Sequence, residues 1–236
     1  MKKILSIIFI LIFIGGFGWF YNRANNFASY AENITALISK NISTEVEIEG
    51  AVKLTILPLP HLEIDHLRAK RQLADGKGNL NIHAPKTHIY LNLIALLKGE
   101  YKVAKLIMQK GLINIKLQTA INMDDIFTNI DGEVIIKDSS LKIANTNYGI
   151  DKNFTKANLH IKQSENKIEL NGNLQTNVNN YQLSYQNEQQ ASGSNQHYLK
   201  IISRDNEFTF QTTANSSKDY LIGDINLKGP DLSGFV

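Results

Sequence analysis

The chain of 236 residues contains no cysteine. That absence excludes a disulfide scaffold and a thiolate-held metal, and it leaves the compartment open. It also removes the thiol nucleophile, and no serine stands in a Gly-x-Ser-x-Gly elbow to replace it. Phosphate-cradling glycine loops are missing too: Asp75-Gly76-Lys77-Gly78 lacks both the pattern and a following helix. Charge of one sign is scarce, with 25 Lys and Arg against 22 Asp and Glu, a formal net of +3 spread along the chain. Arg68, Lys70 and Arg71 form the densest basic cluster, but no aromatic side chains interleave with them to stack bases. The cluster reads as a solvated strand end, and no nucleic-acid partner is expected.

Metal and acid chemistry are also thinly represented. His61 and His66, like His83 and His88, are five residues apart, which on a regular strand places the two members on opposite faces. The helical i, i+4 histidine pair with an acid is absent, so no metal site and no cofactor are expected. Asp124 and Asp125 are adjacent and diverge by about a hundred degrees on a helix, which suits a cap better than a catalytic pair. No catalytic residue is expected, and the chain reads as a non-enzyme.

What is present begins at the first residues. Lys2 and Lys3 precede an uncharged run from Ile4 to Tyr21, rich in Ile, Leu, Phe and Gly. As a helix the run spans about 27 Å, close to a bilayer's hydrocarbon thickness. It ends Gly18-Trp19-Phe20-Tyr21, an aromatic cluster suited to the membrane interface. Ala28 offers a weak cleavage position, and an uncleaved anchor over residues 1–23 is the favoured reading. The positive-inside rule places Lys2 and Lys3 on the cytoplasmic side and the remainder outside. Phe27, Tyr30, Ala31, Ile34, Leu37 and Ile38 then recur at helical spacing and predict an amphipathic helix from about Ala28 to Lys40.

The period then changes to alternation. Val46, Ile48 and Val52, Leu54, Ile56 predict two short strands broken at Glu49-Gly50. Pro58 and Pro60 forbid a central strand at 57–60. Leu62, Ile64 and Leu67 share a further strand face, and Leu80, Ile82, Ile89 and Leu91 predict strand interrupted at Ala84-Pro85. Asn92 to Lys98, stopped by Gly99, predicts a short buried helix. Val103–Met108 and Leu112–Leu117, flanking Lys110-Gly111, look like a hairpin. Met123 to Phe127 suits one helical turn. Two regions therefore follow the anchor, 24–130 and 131–236, the second a β-meander with one apolar and one polar face. Within it, Glu188 to Gln196 reads as a long polar loop. The last residues, from Gly229 to Val236, look like the start of another element. A partner would then cover the sheet edge there, or the chain would be a piece of something longer.

Between Thr44 and Ile64 the residues resemble the N-terminal signature of the AsmA family, a "V-x-I-x-G-x-V" strand pair followed by "L-P-x-P-x-L". Val46, Ile48, Gly50, Val52, Leu57, Pro58, Pro60 and Leu62 match it residue by residue. Leu91 to Gly99 is similar to the family's short helix between strands, and the match extends over about Met1 to Leu117. The family lengths are several hundred residues greater. The resemblance implies a mainly β protein with a few helices: a transmembrane helix, an amphipathic helix, then a curved antiparallel sheet forming a groove. It further implies a periplasmic body rooted in the bacterial inner membrane and linked to outer-membrane biogenesis, with phospholipid as partner along an apolar sheet face. On that expectation the lipid-contacting residues are Ile168, Leu170, Leu174 and Tyr181, with Leu183, Tyr185, Phe208 and Phe210. The rival expectation is an interaction scaffold that pairs with an assembly protein through an exposed sheet edge, and a third is an inactive truncated fragment. A two-sheet sandwich would produce the same alternation as an open groove.

Overall fold

The computed structural model describes residues 45–55, 59, 61–73, 76–92, 94–95, 98, 102–118, 132–164, 166–190, 194–204, 206–214 and 222–229. The expected anchor and amphipathic helix, Leu57, Pro58 and Pro60, and the turn at Met123–Phe127 lie outside the described residues. Among the described residues no helix is long and apolar enough to cross a membrane.

The protein is mainly β. Among the described residues thirteen strands form one sheet: β1 (Glu45–Ile48), β2 (Val52–Thr55), β3 (His61–Gln72), β4 (Gly78–Leu91), β5 (Val103–Gln109), β6 (Leu112–Leu117), β7 (Gly132–Asn145), β8 (Ile150–Ser164), β9 (Lys167–Gln175), β10 (Asn180–Gln189), β11 (Asn195–Ser203), β12 (Asn206–Ala214) and β13 (Ile222–Lys228). The order across the sheet is β1-β3-β4-β5-β7 and then β8 to β13 in sequence. From β8 onward every strand runs antiparallel to the one before it, the expected meander. Among the described residues all strands are hydrogen-bonded into one sheet.

Four expectations are corrected. First, Lys110-Gly111 is not a hairpin turn. β5 pairs with Lys86–Leu91 and β6 with Gly78–His83 in the same antiparallel sense, so β5 and β6 are successive halves of one extended line. Second, the sheet is mixed rather than antiparallel, because both halves pair in parallel with β7. That ladder also runs across the 130/131 division. Third, β4 is not interrupted at Ala84-Pro85 but continues from Gly78 to Leu91. Fourth, Glu188, Gln189, Asn195 and Gln196 lie in strands, where Glu188↔Gln196 and Gln189↔Asn195 are laddered. Polar side chains do not prevent a strand when backbone donors and acceptors are paired. Of the expected helix after β4, one turn is described: Asn92 Oδ1 accepts from the Ile94 and Ala95 amides at 3.1 Å, and Lys98 N donates to the Ile94 carbonyl at 3.3 Å. Asn92 is its N-cap. Ala95 is buried but Ile94 is 69% exposed, so this turn is only half covered.

A crease crosses the sheet. His66, Lys110 and Asp138 have φ of 53°, 54° and 48°, left-handed values that cost an L-residue about 1–2 kcal/mol. Register aligns them: His66 and Pro85 fall between the pairs Asp65↔Lys86 and Leu67↔Ala84, while Lys110 and Asp138 fall between Gln109↔Lys137 and Leu112↔Ser140. Every strand on this line carries one extra residue at the same height, so the ladders stay in step while the side-chain phase shifts. Ile64 and Leu67 are therefore buried on one face although three residues apart, as are Ala84 and Thr87, and Ile136 and Ser139. Pro85, with no amide hydrogen, is tolerated inside β4 because it falls at this irregularity. On the β1–β2 side the crease opens as the Glu49–Ala51 gap, where Asp65 N donates to the Ala51 carbonyl at 3.1 Å. A Cβ on Gly50 would come within 2.4 Å of the Asp65 carbonyl oxygen, which gives the signature glycine its steric reason.

Ser139 stitches the crease. Its hydroxyl, fully buried, accepts the Gly111 amide at 2.9 Å and donates to the Lys137 carbonyl at 3.0 Å. Ser139→Ala leaves the Gly111 amide buried without a partner, so a loss of about 1–3 kcal/mol is expected. The thermal midpoint of the full chain in detergent measures it, with Ser140→Ala as the neighbouring control.

Candidate functional site

The sheet has two chemically distinct faces, and register shows how each is assembled. On one face a single row of apolar residues crosses ten strands: Leu62, Ile89, Leu106, Val134, Ile161, Leu170, Tyr185, Leu199, Phe210 and Ile225 are successive ladder partners. A parallel row beside it runs from Ile64 through Met108, Ile136 and Leu159 to Gly172, Leu183, Ile201, Phe208 and Leu227. Burial along the first row is graded. Leu62 and Ile89 are at 0%, Ile161 and Leu170 at 2%, and Tyr185 at 5%, whereas Ile225 at the far edge is 65% exposed. Each buried aliphatic side chain contributes about 1.5–3 kcal/mol through removal from water, so the β3–β10 portion is the stabilising core. The β11–β13 portion leaves apolar area uncovered.

All eight residues expected to touch lipid lie on this face. Leu174↔Tyr181 and Leu170↔Tyr185 are direct cross-strand pairs, and Ile201↔Phe208 and Leu199↔Phe210 continue the same rows. Ile168, Leu170, Leu174 and Tyr185 are buried, while Tyr181, Leu183, Phe208 and Phe210 keep partial exposure. Polar groups bound the face at one end. Asn187 and His197 are laddered beside Ile168 and buried, and the Tyr185 hydroxyl lies 3.0 Å from His197 Nδ1. The signature residues Val46 and Leu62 are buried on the apolar face, and Ile48 and Val52 pack against it. Their role in the described residues is packing.

The opposite face is polar. Lys105, Glu133, Lys162 and Glu169 are successive partners of alternating charge. Glu133 receives Lys105 at 3.6 Å and Lys162 at 3.4 Å, and Lys167 reaches Glu169 at 2.6 Å. Partial burial pushes the Glu133 carboxyl up, but Lys162, Lys105 and His160 outweigh it and hold the group below its ordinary range. Each such pair is half exposed and adds little to stability. As a set they keep the face hydrated.

The histidines require a correction. On a regular strand five residues separate opposite faces, but the crease shifts the phase by one, and His83 and His88 both emerge on the polar side. There the rings of His66 and His83 stack with centroids 6.1 Å apart, and those of His61 and His88 lie 5.8 Å apart. Glu63, directly opposite His88, completes a group of three possible ligands, one atom from each lying within 4.8 Å of the others. Burial lowers the His88 pKa, His61, Lys86 and Lys137 add to that, and Glu63 opposes it. Sequence reasoning missed this group because cross-strand register, not spacing along the chain, creates it.

No protein-family model, curated protein or solved structure matches the chain.

Proposed function

We propose that this chain is a non-enzymatic protein of AsmA type, anchored in the bacterial inner membrane with a periplasmic body, that handles phospholipid in support of outer-membrane biogenesis. The observation that carries the reading is the apolar face: one unbroken apolar row across the sheet and a second beside it, interrupted at Thr87 and Gly172, whose cover thins from β10 to β13. An acyl chain is a suitable occupant, since an apolar strip exposed to water is removed from it at about 25 cal/mol per Å². The buried polar side chains of Asn187 and His197 bound the strip at one end. Within the expected set, Tyr181, Leu183, Phe208 and Phe210 have surface left for a ligand. Leu199, Ile201, Ile225 and Leu227 join them by register. Ile168, Leu170, Leu174 and Tyr185 form the floor beneath.

Mass spectrometry of lipids that remain with the purified full-length chain after exchange into a lipid-free detergent is the direct test. Phospholipid at about one molecule or more per chain is the expected result. A folded chain free of lipid overturns the reading and favours the scaffold alternative. That second reading has its own observation: β13 ladders only with β12 among the described residues, and its Ile225 and Leu227 are 65% and 48% exposed. A strand added at that edge would cover both the open backbone groups and these side chains. Recovery of a stoichiometric protein partner without lipid distinguishes it.

A further inference from the structure

The start of β3 holds a cluster that the lipid reading does not use. His61 and Glu63 alternate on β3 and so share a face, and register sets His88 of β4 directly across from Glu63. His61 Nδ1 is 2.9 Å from the Leu59 carbonyl oxygen. A carbonyl only accepts, so Nδ1 carries the hydrogen, and in the neutral ring Nε2 keeps its lone pair. That Nε2 faces Glu63 Oε1 at 3.4 Å, which brings two acceptors together. A cation between them, either a proton or a metal ion, resolves the conflict. His88 decides which cation the site suits: it brings a third donor within 4.8 Å, and its Nδ1 is buried without a hydrogen-bond partner. One proton can bridge two acceptors; three converging donors match a metal.

We propose that His61, Glu63 and His88 form a binding site for a divalent transition-metal ion of the zinc class, with solvent completing the coordination. Two imidazoles and a carboxylate are the donor set of such ions, whereas calcium and magnesium take oxygen alone. The backbone acceptor behind His61 is the support that fixes a ligating imidazole's tautomer and orientation. Donors around zinc are about 3.3 Å apart in a tetrahedron built on bonds of ~2.0 Å. Glu63, partly exposed, has the freedom to close the remaining distance. The ion would clamp the beginning of β3 to the end of β4, beside the segment that contains Leu59. This inference does not depend on the lipid reading.

The test uses the full-length chain in detergent, stripped with a chelator and titrated with zinc chloride while binding and thermal midpoint are followed. One equivalent of zinc per chain is expected, with a midpoint that rises with free zinc by mass action. Cobalt in place of zinc should give a visible absorption band from nitrogen and oxygen ligation. His88→Ala and the near-isosteric Glu63→Gln should each weaken binding by about tenfold or more, at least the loss seen when a metal site's supporting groups are removed. His83→Ala and His160→Ala, on the same face, should bind as the parent does. Circular dichroism of Glu63→Gln guards against a folding artefact. Absence of saturable binding overturns the site, as does binding that His88→Ala and Glu63→Gln leave unchanged or that His160→Ala abolishes.

Discussion

Leu170→Asp is expected to leave no folded protein, whereas Ile225→Asp combined with Leu227→Asp is expected to leave a folded protein that has lost its lipid. The two sets lie in the same pair of apolar rows and differ in cover. Leu170 is 2% exposed, laddered between Ile161 and Tyr185, both buried. Losing its volume costs about 2–5 kcal/mol. An unpaired carboxylate there adds a desolvation penalty of several kcal/mol. Together these reach the ~5–15 kcal/mol by which a domain is ordinarily stable. Ile225 and Leu227 are 65% and 48% exposed in β13 and have little burial to lose. Aspartate at each costs at most about 1 kcal/mol of strand preference. Circular dichroism and the thermal midpoint report the first substitution. For the second, lipid analysis of the purified chain decides. Retention of lipid at the parental level in a folded Ile225→Asp, Leu227→Asp chain would sink the placement of the acyl strip at the open end of the sheet.

Much of the meander could be seen in the sequence. Ile168, Leu170 and Leu174, and Tyr181, Leu183 and Tyr185, alternate with polar residues, and alternation is what a half-buried strand requires. The mutual orientation of those strands followed, because short antiparallel connections place neighbours in order. The first half of the sheet was less readable. Lys110-Gly111 has the composition of a turn, yet its backbone continues forward, because Lys110 N donates to the Lys137 carbonyl and Ser140 N to the Gly111 carbonyl. Those partners are a parallel strand that local sequence could not announce. A signal of the crease did exist: apolar pairs recur three residues apart at Ile64/Leu67 and Met108/Gly111, with Pro85 between Ala84 and Thr87. Spacing of three inside an alternating strand marks a bulge. The metal cluster was unreadable for the same reason the crease was. Both arise from how one strand is set against the next.

Deleting Lys110 is expected to be far more damaging than any substitution at that position. Lys110 is exposed and pairs its amide with Lys137 across the crease, so its side chain contributes little. Its backbone matters for counting. With Lys110 in the left-handed region, Leu106 and Met108 before it and Ile113 after it are all buried on one face. Removing one residue moves every later side chain of β6 to the other side of the sheet. Ile113 and Ile115 would then point into the polar face, and Asn114 and Lys116 into the core against Ile82 and Leu141. The alternative is to keep the faces and slip the register, which breaks the ladders from β6 to both β4 and β7. The first route forfeits the burial of at least two aliphatic side chains, about 3–6 kcal/mol, and buries Lys116 besides, while the second sets β6 out of step with both of its neighbours. Lys110→Gly makes the opposite prediction. Glycine adopts the left-handed conformation without a Cβ penalty, so the variant should fold and be at least as stable, by up to about 1 kcal/mol. Thermal midpoints of the two variants in one detergent separate a counting role from a side-chain role. If the deletion folds with a midpoint like that of the parent, the crease is not what holds the two halves of the sheet in phase.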